Sequence, residues 1–73
     1  MATITTEQQA LEAGFVRRFY GETESGFHST ELLVRENVDL DDWFVAYAVD
    51  WNETIRVNGC NWILEELDLV DAI

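Results

Sequence analysis

Few residues in this 73-residue chain could do chemistry: one histidine, one cysteine and fifteen Asp and Glu. A general base needs a substrate-facing neighbour and a group that orients it. His28 stands in a region with no Ser-His-Asp or Cys-His pattern, and reads as a surface or strand-edge residue. Cys60 follows an Asn-Gly turn signal with no His or basic residue beside it to activate the thiol, and reads as a small, partly buried apolar residue. Asp39, Asp41 and Asp42 raise the question of a cation. A calcium loop, however, alternates its oxygens, turns on a glycine and closes with a distal Glu. Here Trp43 follows with no glycine, so the expectation is a solvated acidic turn in which Asp41 or Asp42 caps. Paired carboxylates of the glycosidase kind occur throughout so acidic a chain and discriminate nothing. The sequence states no reaction. Neither an enzyme nor a cofactor is expected, because a chain of this length leaves little room for a pocket beside its core.

The elements that would position these residues follow from capping and periodicity. Thr5-Thr6-Glu7-Gln8-Gln9 offers an N-cap and a capping box, and Leu11, Phe15 and Phe19 recur at i, i+4, i+8. The spacing predicts a helix over about 6–20, although Gly14 inside it costs about 1 kcal/mol against Ala. Gly21 to Gly26 is a loop by composition. Thr30 to Glu36 fits a strand. Trp43, Val45, Tyr47, Val49 and Trp51 occupy every second position, predicting a strand whose odd-numbered face turns to the core. A third strand, Thr54 to Val57, ends at Asn58-Gly59. Beyond it two outcomes compete. Asn61 could cap a helix striped by Ile63, Leu67, Val70 and Ile73, or Asn58-Gly59 could be a type I′ turn after which Cys60–Glu66 pairs back as a fourth strand. The poor strand propensity of Glu65-Glu66-Leu67-Asp68 favours the helix. The expected fold is α+β: a single domain over 1–73, ordered α-β-β-β-α, with helices over a three-stranded antiparallel sheet.

Charge narrows the class of partner. Four Arg and no Lys against fifteen acids leave a formal net charge of −11. Glu7 and Glu12 balance Arg17 and Arg18, so residues 19–73 hold all of it. Hydrophobic residues make up 48% of the chain, too many for an acidic disordered tail. Nucleic acid and anionic membrane would be repelled. With no basic leader, no long apolar run and an unpaired cysteine, a cytoplasmic location is expected. On the expected C-terminal helix, Glu65, Glu66, Asp68 and Asp71 space their charges by roughly 3 Å along the axis, against one phosphate per 3.4 Å of a DNA strand. Asp39, Asp41, Asp42, Asp50 and Glu53 form a second cluster at the loops flanking the central strand, and Glu22, Glu24, Glu31 and Glu36 extend the field. Trp43, Tyr47 and Trp51 are expected in the core. Any of them found exposed becomes the leading interface anchor.

In size, acidity and lack of a catalytic constellation the chain resembles the small inhibitors of phages and mobile elements: anti-CRISPR proteins, anti-restriction proteins and uracil-glycosylase inhibitors. That resemblance implies a stoichiometric inhibitor that binds the basic, nucleic-acid-facing surface of a host defence complex, such as a CRISPR effector, and excludes DNA by mimicking its charge. The nine acids from Asp39 to Asp71 named in the two clusters would then meet Arg or Lys of the target. The alternatives are an acidic assembly module that docks on a basic protein without nucleic acid, and an acidity that serves solubility or a high-salt cytoplasm.

Overall fold

The computed structural model describes residues 3–68, a five-stranded antiparallel sheet with one short helix. This overturns the expected α-β-β-β-α arrangement. Helix α1 spans Glu7–Glu12 and is followed by β1 (Phe15–Thr23), β2 (Ser29–Arg35), β3 (Trp43–Ala48), β4 (Glu53–Asn58) and β5 (Trp62–Leu67). The strand order is β4-β3-β2-β1-β5.

Helix α1 begins as the capping pattern predicts. Thr6 is the N-cap, and its hydroxyl accepts the Gln9 N–H, while Gln9 Oε1 reaches back to the Thr5 N–H at 2.8 Å. The helix stops after six residues because Gly14 is its terminator rather than an interior residue. Ala13 closes the last turn, and Gly14 takes φ +96°, a conformation that strains any residue with a Cβ. The chain leaves as a strand. Phe15 and Phe19, expected on one helical stripe, sit on opposite faces of the sheet. The β1–β2 register slips between Phe15 and Arg17, and this bulge flips the parity, sending Phe15 to the face under α1 and Phe19 to the main core. Gly21, Glu22 and Thr23, expected in a loop, continue β1.

The main core draws on every strand: Phe19, Leu32, Val34, Phe44, Ala46, Ala48 and Val57, with Ile55, Trp62 and Leu64 packed against it. Strands β4 and β5 lie at opposite edges of the order yet share this core, so the sheet is curled over on itself. Chain length demands the same. Four sheet spacings separate the edges of a flat five-stranded sheet by about 19 Å. The link from Asn58 to Trp62 is four peptide steps, at most about 14 Å. Gly21 makes the closure tight, since a Cβ there would come within 2.7 Å of Leu32 Cδ1, 3.1 Å of Trp62 Cε3 and 3.2 Å of Leu64 Cδ2.

The expected faces of β3 are reversed. Its even residues Phe44, Ala46 and Ala48 face the core, while Trp43 and Val45 are 56% and 48% exposed. Small alanines suit the inner face because the curled sheet brings its opposite wall close. The bulky odd residues are left outside, where α1 covers only Tyr47. Central strand β2 is covered on both faces, and Leu32, Leu33 and Val34 are all fully buried.

The C-terminal segment is β5, not a helix. Nor does it form the hairpin that was the alternative, for β5 pairs with β1 through Arg18↔Leu67 to Thr23↔Trp62. A type I′ turn needs positive φ at both central residues, and Gly59 does not have it. The expected helical stripe residues Val70 and Ile73 lie outside the described residues.

On the outer face, α1 packs Ala10 against Phe15, Leu33 and Tyr47. Arg18, buried beneath α1, binds the carboxylates of Glu31 and Glu7 (3.1 Å to the latter). Tyr47 is fully buried, and its hydroxyl donates to Asn52 Oδ1 at 2.9 Å, holding the β3–β4 turn where Asn52 takes φ 53°. Burial pushes the Tyr47 phenol above its ordinary 10.0, and the Glu7 carboxylate adds to the shift. The unfolded chain therefore ionises first as pH climbs past 10, so this group's contribution, complete below pH 10, is lost as pH rises toward the folded value. Tyr47→Phe is expected to cost about 1 kcal/mol at neutral pH through the lost hydrogen bond. It should also show a smaller decline in urea midpoint between about pH 9 and pH 11 than the wild type. Equal alkaline declines would exclude Tyr47 as the group responsible.

Candidate functional site

The expected ridge of helical carboxylates does not exist. On β5, Glu65 stands opposite Tyr20 on the face that carries α1, and Glu66 stands opposite Phe19 on the other. Alternation along a strand separates what a helix would have aligned. Glu66, exposed, lies 3.6 Å from the half-buried Arg17 Nε, a solvent-screened pair that contributes little to stability. Asp68 follows the strand, and Asp71 lies outside the described residues.

The second expected cluster is divided between the two ends of β3. Asp39, Asp41 and Asp42 form the β2–β3 loop, with Asp39 Oδ1 accepting the Asp41 N–H and Asp42 Oδ1 the Trp43 N–H at 2.8 Å. Among the described residues no group of three or more His, Cys, Asp or Glu is placed to hold a metal ion. Asp50 and Glu53 lie beyond the other end of β3, where Asp50 Oδ2 accepts the Thr30 hydroxyl at 3.0 Å.

A continuous rim of loops nevertheless joins these two groups. Gly59 N–H donates to the Asp42 carbonyl and the Cys60 thiol to that of Asp41. Two residues on, the Asn61 carbonyl accepts the Glu24 N–H at 2.8 Å, tying the β4–β5 link to the β1–β2 hairpin. That hairpin carries Phe27 and His28, and His28 meets Trp51 of the β3–β4 turn beside Asp50.

Three rings form a ladder at this last point. Phe27 and His28 meet edge to face with centroids 4.4 Å apart, and His28 and Trp51 do so at 5.3 Å. Phe27 is 78% exposed and Trp51 37%. Trp51, expected in the core, is thus exposed at the end of the sheet. Trp43 is exposed too, but Arg56 covers its ring at 5.2 Å. Sequence patterning missed Phe27 and His28 as site residues. The signal available was an apolar ring beside the lone histidine at the end of a Gly- and Ser-containing hairpin, where nothing in the periodicity called for one.

The arginines complete the electrostatics. Arg18 is held by two carboxylates, Arg17 lies over Phe19 and near Glu66, Arg35 lies over Phe15, and Arg56 lies over Trp43. Among the described residues, Glu22, Glu24, Asp39, Asp41, Asp42, Asp50 and Glu53 form no ion pair. All the cationic side chains are engaged within the molecule, while the rim carboxylates face solvent uncompensated. No described helix is long and apolar enough to cross a membrane. No protein-family model matches the chain, and neither a curated protein nor a solved structure shows significant similarity to it.

Proposed function

We propose that this protein is a non-catalytic inhibitor that docks its acidic loop rim on a basic protein surface, the nucleic-acid-binding face of a host defence complex such as a CRISPR effector, and thereby excludes DNA. The observation that carries this reading is the division of charge: each arginine lies against a carboxylate or an aromatic ring of its own molecule, and the rim acids from Asp39 through Glu24 to Asp50 and Glu53 are in no ion pair. Such a field steers a basic partner and supplies charge-assisted hydrogen bonds on contact. The Phe27–His28–Trp51 ladder supplies the desolvated anchor that charge alone lacks. In this form the mimicry belongs to loops and not to a helical ridge. A channel lined by Lys and Arg is the kind of surface such a rim fits.

The aromatic ladder also favours a second reading, an acidic assembly module whose partner contact owes nothing to nucleic acid, because exposed rings anchor protein interfaces of any kind. Competition separates the two. Tagged protein is exposed to bacterial lysate at low salt, with and without excess duplex DNA. A retained nucleic-acid-binding protein that DNA releases supports the inhibitor. A partner retained equally with DNA present supports the assembly module. If nothing is retained, both fail and the acidity serves solvation.

A further inference from the structure

The β1–β2 hairpin and the start of β5 enclose an open cleft of about 530 Å³, lined by Thr23, Glu24, Ser25, Asn61 and Trp62. We infer that this cleft is a receptor for a single arginine side chain, which the basic partner would insert; the link to a partner rests on the proposed function, but the cleft's chemistry does not. Its lining residues carry an indole ring, a carboxylate, an amide and two hydroxyls, the hydroxyls 3.3 Å from each other. A guanidinium stacks flat on an indole and forks onto a carboxylate with two hydrogen bonds, whereas a lysine ammonium meets either group only as a compact point charge. None of the protein's own arginines lines the cleft, so no internal cation competes for it.

The cleft is also held in shape. Thr23 Oγ1 accepts the N–H groups of Phe27 at 2.9 Å and His28 at 3.2 Å, fixing the hairpin. The Glu24 N–H to Asn61 carbonyl bond ties the two walls together. Trp62 lies against Gly21, where the missing Cβ lets the ring settle on β1 while it still borders the cleft. Walls fixed in advance lower the ordering cost of binding.

The test is an NMR titration of the isolated protein with N-acetyl-arginine methylamide, and in parallel with the lysine analogue. The expected result is saturable shifts at the Trp62 indole N–H and the Glu24 and Asn61 amides, with a millimolar-range Kd for arginine and at least about fivefold weaker binding of lysine. Glu24→Gln, an exposed substitution that touches no core residue, should weaken arginine binding about tenfold. Equal shifts for both probes spread over the amides of Asp39, Asp41 and Asp50, or no saturable shift at Trp62, would overturn the inference. No partner is needed for this titration. A failed capture from lysate therefore leaves its result standing, and a failed titration leaves rim docking open to its own test.

Discussion

Gly59→Ala is expected to destabilise the protein by about 3 kcal/mol or more, measured as a fall in urea midpoint at unchanged slope. A Cβ at this position would fall on the Leu40 carbonyl oxygen and within 3.2 Å of the Asp41 Cα. Backbone cannot rotate aside as a side chain can, so either the β2–β3 loop or the β4–β5 link must move. Moving either breaks the bond from Gly59 N–H to the Asp42 carbonyl and the contact of the Cys60 thiol with Asp41. The link is also the short tether that keeps the sheet curled, and a chain of this size has little stability in reserve. Gly14→Ala is the matched control. There the added methyl meets open space and only the positive φ is strained, so a loss of about 1 kcal/mol is expected. Equal losses at the two glycines would show that the Leu40 carbonyl does not pack against the link.

The second large effect concerns binding. Asp41→Lys combined with Glu53→Lys reverses charge at the two ends of the rim, and neither carboxylate is used in a hydrogen bond within the fold. Affinity for the captured partner is expected to fall at least about a hundredfold at low salt, with most of the loss in association rate and a weaker dependence on ionic strength. Glu12→Lys with Glu65→Lys makes the same change in net charge on the side of the sheet that carries α1. It should cost less than about tenfold, the share owed to the overall field. If the two pairs weaken binding equally, net charge and not the rim is what the partner recognises. If neither does, the docking proposal fails.

The local signals that survived folding are those a few neighbouring residues can settle among themselves. The Thr6 cap with Gln9, the strands near Thr30–Glu36 and Thr54–Val57, and the start of a strand at Trp43 were all legible in sequence. So was the charge imbalance, which is a matter of counting. The sequence also placed Asp39, Asp41, Asp42 and Asp50 in the connections at the two ends of β3, though not how the rim links them.

What went astray depended on contacts distant in sequence. Leu11, Phe15 and Phe19 keep helical spacing, but spacing cannot show that Gly14 takes a left-handed φ or that a bulge opposite β2 sends the two phenylalanines to different cores. Glu65-Glu66-Leu67-Asp68 has poor strand propensity, yet β5 forms because Trp62 and Leu64 bury against Gly21 and Leu32 and because β1 offers it an unpaired edge. Burial of a few large side chains outweighs propensities worth a few tenths of a kcal/mol each. On β3 the odd-numbered face was read correctly for Tyr47, which is buried under α1, and wrongly for Trp43 and Val45. Both faces carry apolar residues, and only the curl of the sheet, which brings the opposite wall close to Ala46 and Ala48, turns the small face inward and leaves Trp43 and Val45 outside. Composition alone thus set the acidity of this protein. Tertiary closure, a matter of which strands a three-residue link can bring together, decided where that acidity is displayed and which aromatic rings stand beside it.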